Sequence, residues 1–204
     1  MTGHGGPAAG AASAPVPAIR RAKVGDAQRL AEFAERVYAE SFAADTPPED
    51  LALFLRETYS SALQEAEIRD ERVSTFVAEE DETTLAGFFQ VRATVPPPCV
   101  VEADVLELGR FYVAARWQGG GLAHRLMDAA VAEALRLGVS WLWLSTWEIN
   151  ARARAFYEKV DFRTVGTREF VVGTDVQIDR VMVRRIGEGA PALAAPSTGM
   201  RSTA

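Results

Sequence analysis

Three consecutive glycines at positions 119–121 divide the middle of this 204-residue chain into two apolar segments of different character. Residues 106–113 form an apolar run typical of a strand, whereas from Leu122 apolar residues recur at helical spacing. Gly138 is expected to end that helix. Residues 139–147 are apolar on both alternating faces, as in a central strand covered on both sides. A strand, a helix and a strand in this order predict a parallel pair of strands, with the glycine turn leading into the helix.

The glycine turn is also a candidate binding site for a phosphate group. Backbone N–H groups at the start of a helix lack partners within the helix, and the helix dipole favours negative charge there. Glycine permits both the close approach of a pyrophosphate and the positive φ angles of a tight turn. Two common nucleotide motifs, G-x-G-x-x-G and G-x-x-x-x-G-K-S/T, do not fit, because His124 and Arg125 follow the turn. A merely flexible connection stays open as the alternative.

Composition limits the classes of function that this chain can serve. With 48% hydrophobic and 25% charged residues, its length suits one globular domain with a single core. A formal net charge of -6 argues against a general nucleic-acid binder and favours cationic partners. The single cysteine, Cys99, excludes an internal disulfide and suits a reducing cytosol. No apolar run approaches the roughly 20 residues that cross a bilayer, so a cytoplasmic protein without nucleic-acid or membrane partners is expected.

Two helices are predicted ahead of the first long strands. Asp26 can cap the first helix, whose apolar residues recur at helical spacing. Thr46 and Glu49 can form a capping box around the prolines that open a single second helix. Residues 74–80 and 85–92 are short β-rich runs on either side of an acidic turn, which predicts an antiparallel hairpin.

The remaining elements complete the fold class. Asn150 can cap a further helix, and residues 170–172 and 176–184 predict a final strand pair around a glycine turn. With a short first strand near residues 19–22, the order is β-α-α-β-β-β-α-β-α-β-β. This order predicts the α/β class, or α+β in some schemes, with a mixed, mostly antiparallel central sheet and helices on both faces.

The predicted domain spans residues 18–186. Residues 1–17 and 187–204 consist almost wholly of glycine, alanine, proline, serine and threonine. Such segments cannot bury enough apolar surface to offset the entropy of ordering. Both ends are therefore predicted to be flexible tails.

In this element order, residues 19–186 resemble the GNAT superfamily of N-acetyltransferases, which use acetyl-CoA. The phosphate motif of that family, Q/R-x-x-G-x-G/A, is matched at the glycine turn by Gln118, Gly121 and Ala123. The resemblance implies the GNAT fold and acetyl-CoA as co-substrate.

A second family signature lies downstream. In GNAT members an asparagine opens a helix that ends in an aromatic pair and a basic residue, here Asn150, Phe156, Tyr157 and Lys159. One departure is Asp161, where the family usually has glycine at a tight turn. Aspartate tolerates the left-handed conformation at modest cost, so the turn is expected to survive.

Three segments, 107–113, 147–150 and 173–179, resemble the bacterial spermine/spermidine-type acetyltransferases more closely. This resemblance implies a primary amine, a polyamine or another small amine, as the acceptor and molecular partner. Acetylation of a protein N-terminus, a lysine or an aminoglycoside stays open, as does a non-catalytic acyl-CoA-binding regulator. A homodimer is also left open.

The resemblance assigns acetyl-CoA binding to the strand, the turn and two helix starts. The residues concerned are Phe111, Tyr112 and Val113 along the pantetheine arm, Gln118, Gly119, Gly120, Gly121, Leu122 and Ala123 around the pyrophosphate, and Asn150. In the family, backbone N–H groups of that strand also bond the oxyanion of the reacting carbonyl.

Two residues are candidates for proton transfer. A free alkylamine has a pKa of about 10.4, like lysine, so a proton must leave before the nitrogen attacks. The resemblance places Glu107 beside the thioester as proton acceptor or amine anchor, with a structural ion pair as the alternative. Tyr157 occupies the family position of the acid that protonates the leaving thiolate, with plain packing as the alternative. No metal and no covalent enzyme intermediate are expected, because Cys99 lacks an evident histidine partner.

Overall fold

The computed structural model describes residues 16–187. The tails predicted at residues 1–17 and 187–204 therefore lie almost wholly outside the described range. Short 3-10 turns at Val24–Asp26 and Ala115–Trp117 accompany the regular elements. These elements are, in order, β1 (Ala18–Arg21), α1 (Ala27–Phe42), α2 (Pro48–Thr58), α3 (Ser61–Arg69), β2 (Val73–Glu79), β3 (Leu85–Arg92), β4 (Val105–Val113), α4 (Leu122–Arg136), β5 (Trp141–Trp147), α5 (Ala151–Lys159), β6 (Arg163–Val172) and β7 (Asp175–Arg185).

The strands form one 7-stranded sheet in the order β1-β2-β3-β4-β5-β7-β6. Each neighbouring pair is antiparallel except β4 and β5, which run parallel because α4 crosses over between them. The predicted hairpin of β2 and β3, the parallel pair and the mixed sheet are confirmed.

The parallel pairing of β4 with β5 ends early. It joins residues 105–107 to residues 141–143. Beyond these residues β4 continues beside β3 as far as Val113, whereas β5 continues beside β7 as far as Trp147. The two halves of the sheet therefore separate, and a wedge-shaped gap opens between the carboxyl ends of β4 and β5.

A β-bulge at Gly109 accompanies this separation. The adjacent residues 90–91 of β3 lie opposite residues 110 and 108 of β4, so Gly109 between them has no partner. A side chain there would displace the Arg92 guanidinium, because an added Cβ would lie 2.6 Å from its Nε. A bulge bends the strand that carries it and increases its twist, so it turns β4 away from β5.

Helices cover both faces of the sheet, as predicted. The face covered by α4 and α5 and the face covered by α1, α2 and α3 have separate hydrophobic cores. The first core includes Phe89, Leu126, Met127, Ala130, Leu142, Leu144, Tyr157 and Met182, and the second includes Leu30, Phe33, Val37, Tyr38, Tyr59 and Phe88.

Two helices, α2 and α3, replace the single second helix that the pattern predicted. Ser60 separates them and caps α3 by accepting a hydrogen bond of 3.3 Å from the N–H of Leu63. The predicted capping box of Thr46 and Glu49 is wrong, because α2 begins at Pro48 without a side-chain cap. Proline at the first helical position has no N–H to satisfy, which reduces the need for a cap.

Asp26 does not cap α1 through its side chain, contrary to the prediction. Its carboxylate accepts hydrogen bonds from Arg20 at 2.7 and 2.9 Å, from Arg29, and from the N–H of Lys23 at 2.7 Å. The Arg20 guanidinium in particular holds the pKa of Asp26 well below its usual range. A tertiary ion pair between β1 and α1 thus overrides the local preference for capping.

The turn after α5 has the predicted left-handed residue. Asp161 adopts a φ of 65°, and its N–H bonds to the Glu158 carbonyl at 3.1 Å. The N–H of Phe162 bonds to the Tyr157 carbonyl at 2.9 Å. These two bonds close the helix in a Schellman motif, so aspartate replaces glycine here as expected.

β6 is longer than predicted, since it begins at Arg163 rather than at residue 170. It lies at the edge of the sheet, and most of its first residues are polar and exposed. An edge strand of this kind lacks the apolar alternation by which strands are recognised.

The glycine turn before α4 leads to a graded prediction for alanine substitution. Gly119 and Gly121 adopt φ angles of 81° and 86°, in the left-handed region that alanine avoids. Gly119→Ala and Gly121→Ala should each lower the free energy of unfolding by about 1 kcal/mol, measured by urea denaturation. Gly120→Ala is the matched control, since Gly120 has no positive φ and its added Cβ would lie 3.6 Å from the Trp117 carbonyl oxygen. Equal losses in all three variants would contradict this account of the turn.

Candidate active site

A cleft of about 1660 Å³ passes through the gap between β4 and β5. One end is lined by the glycine turn, α4 and α5, and the other by α1, α2, β6 and β7. Leu122 is not part of this lining, because its side chain is buried in the core. The other residues predicted to act at the site all line the cleft: Glu107, Phe111, Tyr112, Val113, Gln118, Gly119, Gly120, Gly121, Ala123, Asn150 and Tyr157.

The glycine turn presents backbone donors to the cleft. The N–H of Arg125 bonds to the Gly121 carbonyl at 3.2 Å and begins the hydrogen-bond ladder of α4. The N–H groups of Leu122, Ala123 and His124 precede that ladder, so no helix carbonyl satisfies them. Together with the helix dipole, these groups favour an anion at the turn.

β4 directs further backbone groups into the gap. The N–H of Ala114 bonds to the Ala86 carbonyl at 2.9 Å, on the β3 side. Because N–H groups alternate in direction along a strand, those of Phe111 and Val113 face the gap. The Val113 carbonyl accepts a hydrogen bond of 2.9 Å from Nε2 of Gln118. This hydrogen bond from the glutamine of the phosphate motif connects the glycine turn to the end of β4.

α5 is fixed beside the gap by its cap and its aromatic residues. Oδ1 of Asn150 accepts a hydrogen bond of 3.0 Å from the N–H of Ala153, which confirms the predicted cap. Phe156 stacks on Phe111 with ring centroids 5.6 Å apart and meets His124 edge-on at 5.5 Å. Phe156 therefore packs the helix against the sheet, as predicted.

Tyr157 is buried at the wall of the cleft, with 8% of its surface exposed. Its ring centroid lies 6.2 Å from that of Phe111 and 5.7 Å from that of Phe162. Burial raises the pKa of Tyr157, so the phenol keeps its proton near neutral pH. This position is compatible with both roles considered for Tyr157, the acid and the packing residue.

Glu107 lies where the gap begins, and its carboxylate is already engaged. Arg92 donates from Nε to Oε2 at 2.7 Å and from Nη2 to Oε1 at 3.0 Å. Thr94 donates from its hydroxyl to Oε2 at 2.8 Å. Glu107 is 5% exposed, so these charge-assisted bonds form a buried cross-strand pair. The structural ion pair considered for Glu107 is therefore present.

The structure adds a polar centre to which no role was assigned from sequence. Asp179 of β7 is 5% exposed and lines the cleft, and its Oδ2 accepts a hydrogen bond of 2.7 Å from the Ser145 hydroxyl. Burial raises the pKa of Asp179, while the Ser145 hydrogen bond opposes that rise. The alternation of Asp175, Gln177 and Asp179 with apolar residues in the first half of β7 was the sequence signal for this centre.

Aromatic side chains surround this second centre. They come from α1, α2, the α2–α3 junction, β4, β5 and β6. Tyr59 and Tyr112 share a hydrogen bond between their hydroxyls at 3.2 Å. The rings that line the cleft here are Tyr38, Phe42, Phe54, Tyr59, Tyr112, Trp147 and Phe170, which we call the aromatic wall.

Across residues 16–187, no group of three or more histidine, cysteine, aspartate or glutamate side chains is placed to hold a metal ion. In the same part of the chain, no helix combines the length and the apolar character needed to cross a membrane.

Relatives of this chain are found among acetyltransferases. The family model described as Acetyltransferase (GNAT) family matches residues 32–162. A protein of Mycobacterium tuberculosis named as an uncharacterized N-acetyltransferase is 31% identical over 161 residues. That alignment covers 79% of this chain and 98% of the relative.

Solved structures share the fold at lower identity. The PaiA N-acetyltransferase of Thermoplasma acidophilum, in complex with coenzyme A, gives a TM-score of 0.66 at 20% identity and covers 82% of this chain and 98% of its own. A spermidine N-acetyltransferase SpeG chimera from Vibrio cholerae and hSSAT gives a TM-score of 0.57 at 20% identity and covers 83% and 96%. The family match over residues 32–162 and the similarity to the mycobacterial relative show that this chain belongs to the GNAT family of N-acetyltransferases.

Proposed function

We propose that this enzyme transfers an acetyl group from acetyl-CoA to a primary amine, which attacks the thioester directly. One observation carries the proposal. A single cleft joins the glycine turn on one face of the sheet to the aromatic wall on the other, through the gap between β4 and β5. An acyl-CoA bound from the first side and an amine bound from the second meet in that gap.

The residues around the turn suit acetyl-CoA. Two left-handed glycines leave open space beside the unpaired N–H groups, as the close approach of a pyrophosphate requires. The N–H groups of Phe111 and Val113 are placed to bond the pantetheine arm or the thioester carbonyl oxygen. When bound, acetyl-CoA supplies the acetyl group in activated form, and these backbone groups hold and orient it.

Tyr157 is our candidate for the proton donor. A departing thiolate has a conjugate acid with a pKa of about 8.5, by comparison with cysteine, so a phenol beside it lowers the barrier to its release. Burial raises the pKa of Tyr157, so the phenol is protonated at neutral pH but is a weaker acid than in water. Burial also raises the pKa of a departing thiol, which keeps the proton transfer feasible. Glu107 stays a candidate proton acceptor, although its bonds to Arg92 and Thr94 would have to weaken first.

A small amine or polyamine in the cytoplasm is the acceptor that we infer. The net charge of -6 favours a cationic partner, and one enzyme that shares the fold is a spermidine acetyltransferase chimera. The competing functions are acetylation of a peptide N-terminus, a lysine or an aminoglycoside, and binding of acyl-CoA without turnover.

Release of CoA from acetyl-CoA, measured with polyamines, monoamines, peptides and aminoglycosides, tests the proposal. We expect saturable release with small amines. Activity on peptides alone would refute the small-amine acceptor. Tight binding of acetyl-CoA with no release across the whole panel would refute catalysis.

Tyr157→Phe should lower kcat by at least about tenfold while leaving the affinity for acetyl-CoA nearly unchanged, because only a proton donor is lost. Steady-state kinetics across a pH series would measure this effect. The affinity of the same variant for acetyl-CoA is the internal control, because a distorted cleft would lower that affinity together with kcat. An unchanged kcat and pH profile for Tyr157→Phe would rule out the acid role.

Glu107→Gln should mainly destabilise the protein, because it leaves the Arg92 guanidinium without its counter-charge. We expect the free energy of unfolding to fall by about 3 kcal/mol, while the acid limb of the kcat/KM pH profile persists. Glu133→Gln is the matched control, since Glu133 is also 5% exposed and its ion pair with Arg136 at 2.7 Å lies outside the cleft lining. A stable Glu107→Gln enzyme that loses the acid limb would instead identify Glu107 as the proton acceptor.

A further inference from the structure

Asp179 occupies the floor of the cleft on the face that α1 and α2 cover. Its cross-strand neighbours are Trp147 of β5 and Arg168 of β6. The ring of Tyr38 of α1 lies 6.4 Å from that of Tyr112, measured between centroids. Burial raises the pKa of Tyr38, and the charges of Tyr112 and Asp179 add to this rise. Since Asp179 is 5% exposed and lines the cleft, its remaining accessible surface faces the cleft.

Two buried carboxylates line the cleft, and their surroundings differ. Glu107 is paired with Arg92 at 2.7 Å. Asp179, in contrast, forms no ion pair within 4.0 Å in the described part of the chain, and its hydrogen bond comes from the neutral hydroxyl of Ser145. Arg168 attracts Asp179 from a greater distance, with its guanidinium 5.8 Å from the ring centroid of Phe170. A buried carboxylate that has so little positive charge near it favours the binding of a cation beside it.

The aromatic wall encloses the space next to Asp179. Tyr38 and Phe54 have ring centroids 4.7 Å apart, and Phe54 and Phe170 lie 5.9 Å apart. Phe42 and Trp147 complete the wall at 6.0 Å. Such rings attract a cation through their faces and also pack well against an apolar body.

We propose that Asp179 and the aromatic wall form the acceptor subsite, and that it binds the ammonium group of a monoamine with an aromatic or apolar body. The inference narrows the acceptor of the proposed function and rests on that function for the transfer step. A single buried carboxylate that lacks an ion pair matches one ammonium group. The further ammonium groups of a polyamine would meet the aromatic rings or Arg92 and Arg168, which offer no counter-charge. The other carboxylate of the lining on the α1 side, Glu40, is 48% exposed and already paired with Arg36 at 3.4 Å.

The inference is tested by binding rather than by turnover. Isothermal titration of the CoA-loaded protein with 2-phenylethylamine, spermidine and the neutral 2-phenylethanol compares the three chemistries directly. We expect 2-phenylethylamine to bind at least about tenfold more tightly than spermidine, as one desolvated ion pair and its cation–π contacts would give. Tighter binding of spermidine would overturn the inference.

Asp179→Asn tests the contribution of the carboxylate, because it removes the charge and keeps nearly the same shape. It should weaken binding of 2-phenylethylamine by about tenfold or more while leaving 2-phenylethanol and CoA unaffected. Asp175→Asn is the matched control on the same strand, because Asp175 bonds to Gln177 and does not line the cleft. Trp147→Leu, which removes a ring without changing charge, should weaken both phenyl compounds. Unchanged binding of 2-phenylethylamine to Asp179→Asn, or to Trp147→Leu should the first variant not fold, would overturn the inference.

CoA release measured on the same samples separates the two proposals. If 2-phenylethylamine binds as expected but no CoA is released, the proposed acetyl transfer to small amines is refuted and the proposed acceptor subsite is supported. If the wild type and Asp179→Asn acetylate 2-phenylethylamine with the same KM, the proposed acceptor subsite is refuted and the proposed acetyl transfer is supported.

Discussion

The early separation of β4 from β5 is the constraint on which the rest of the site depends. Interior strands normally pair their backbone N–H and C=O groups, because a buried unpaired group costs free energy. Here the pairing stops after residues 105–107 and 141–143, close to the bulge at Gly109. The groups left open along β4 need partners, and an extended ligand with amides of its own can supply them in the manner of an added strand. The affinity that we propose for a pantetheine-like arm would therefore arise from the sheet itself.

Short-range signals were enough to predict the side of the cleft that faces α4 and α5. The glycine turn, α4 and the Asn150 cap each depend on residues that lie close together in sequence. The same local rules failed at Asp26 and Thr46, where other groups satisfy the helix start. Asp26 forms an ion pair with Arg20 of β1, and α2 begins at Pro48 without a side-chain cap.

The opposite side of the cleft could not be predicted in this way. Tyr38, Phe54, Trp147, Phe170 and Asp179 come from five different elements. They meet because β7 lies between β5 and β6 and because α1 and α2 cover this part of the sheet. Each aromatic residue alone has the spacing of an ordinary core residue, so its sequence context carries no sign of a binding role.

Glu107 and Asp179 show that the surroundings of a carboxylate decide what it can do. Glu107 lies beside the bulge, where the missing side chain of Gly109 makes room for the Arg92 guanidinium. The Arg92–Glu107 ion pair lies at the narrow end of the gap, and it neutralises the charge of Glu107 within the protein. Asp179 lies on β7, two strands from β4 in the sheet, where Ser145 offers a hydrogen bond but no charge. The carboxylate that the family resemblance singled out is therefore already paired within the fold, and the carboxylate without an ion pair is the one that we propose for a cationic acceptor.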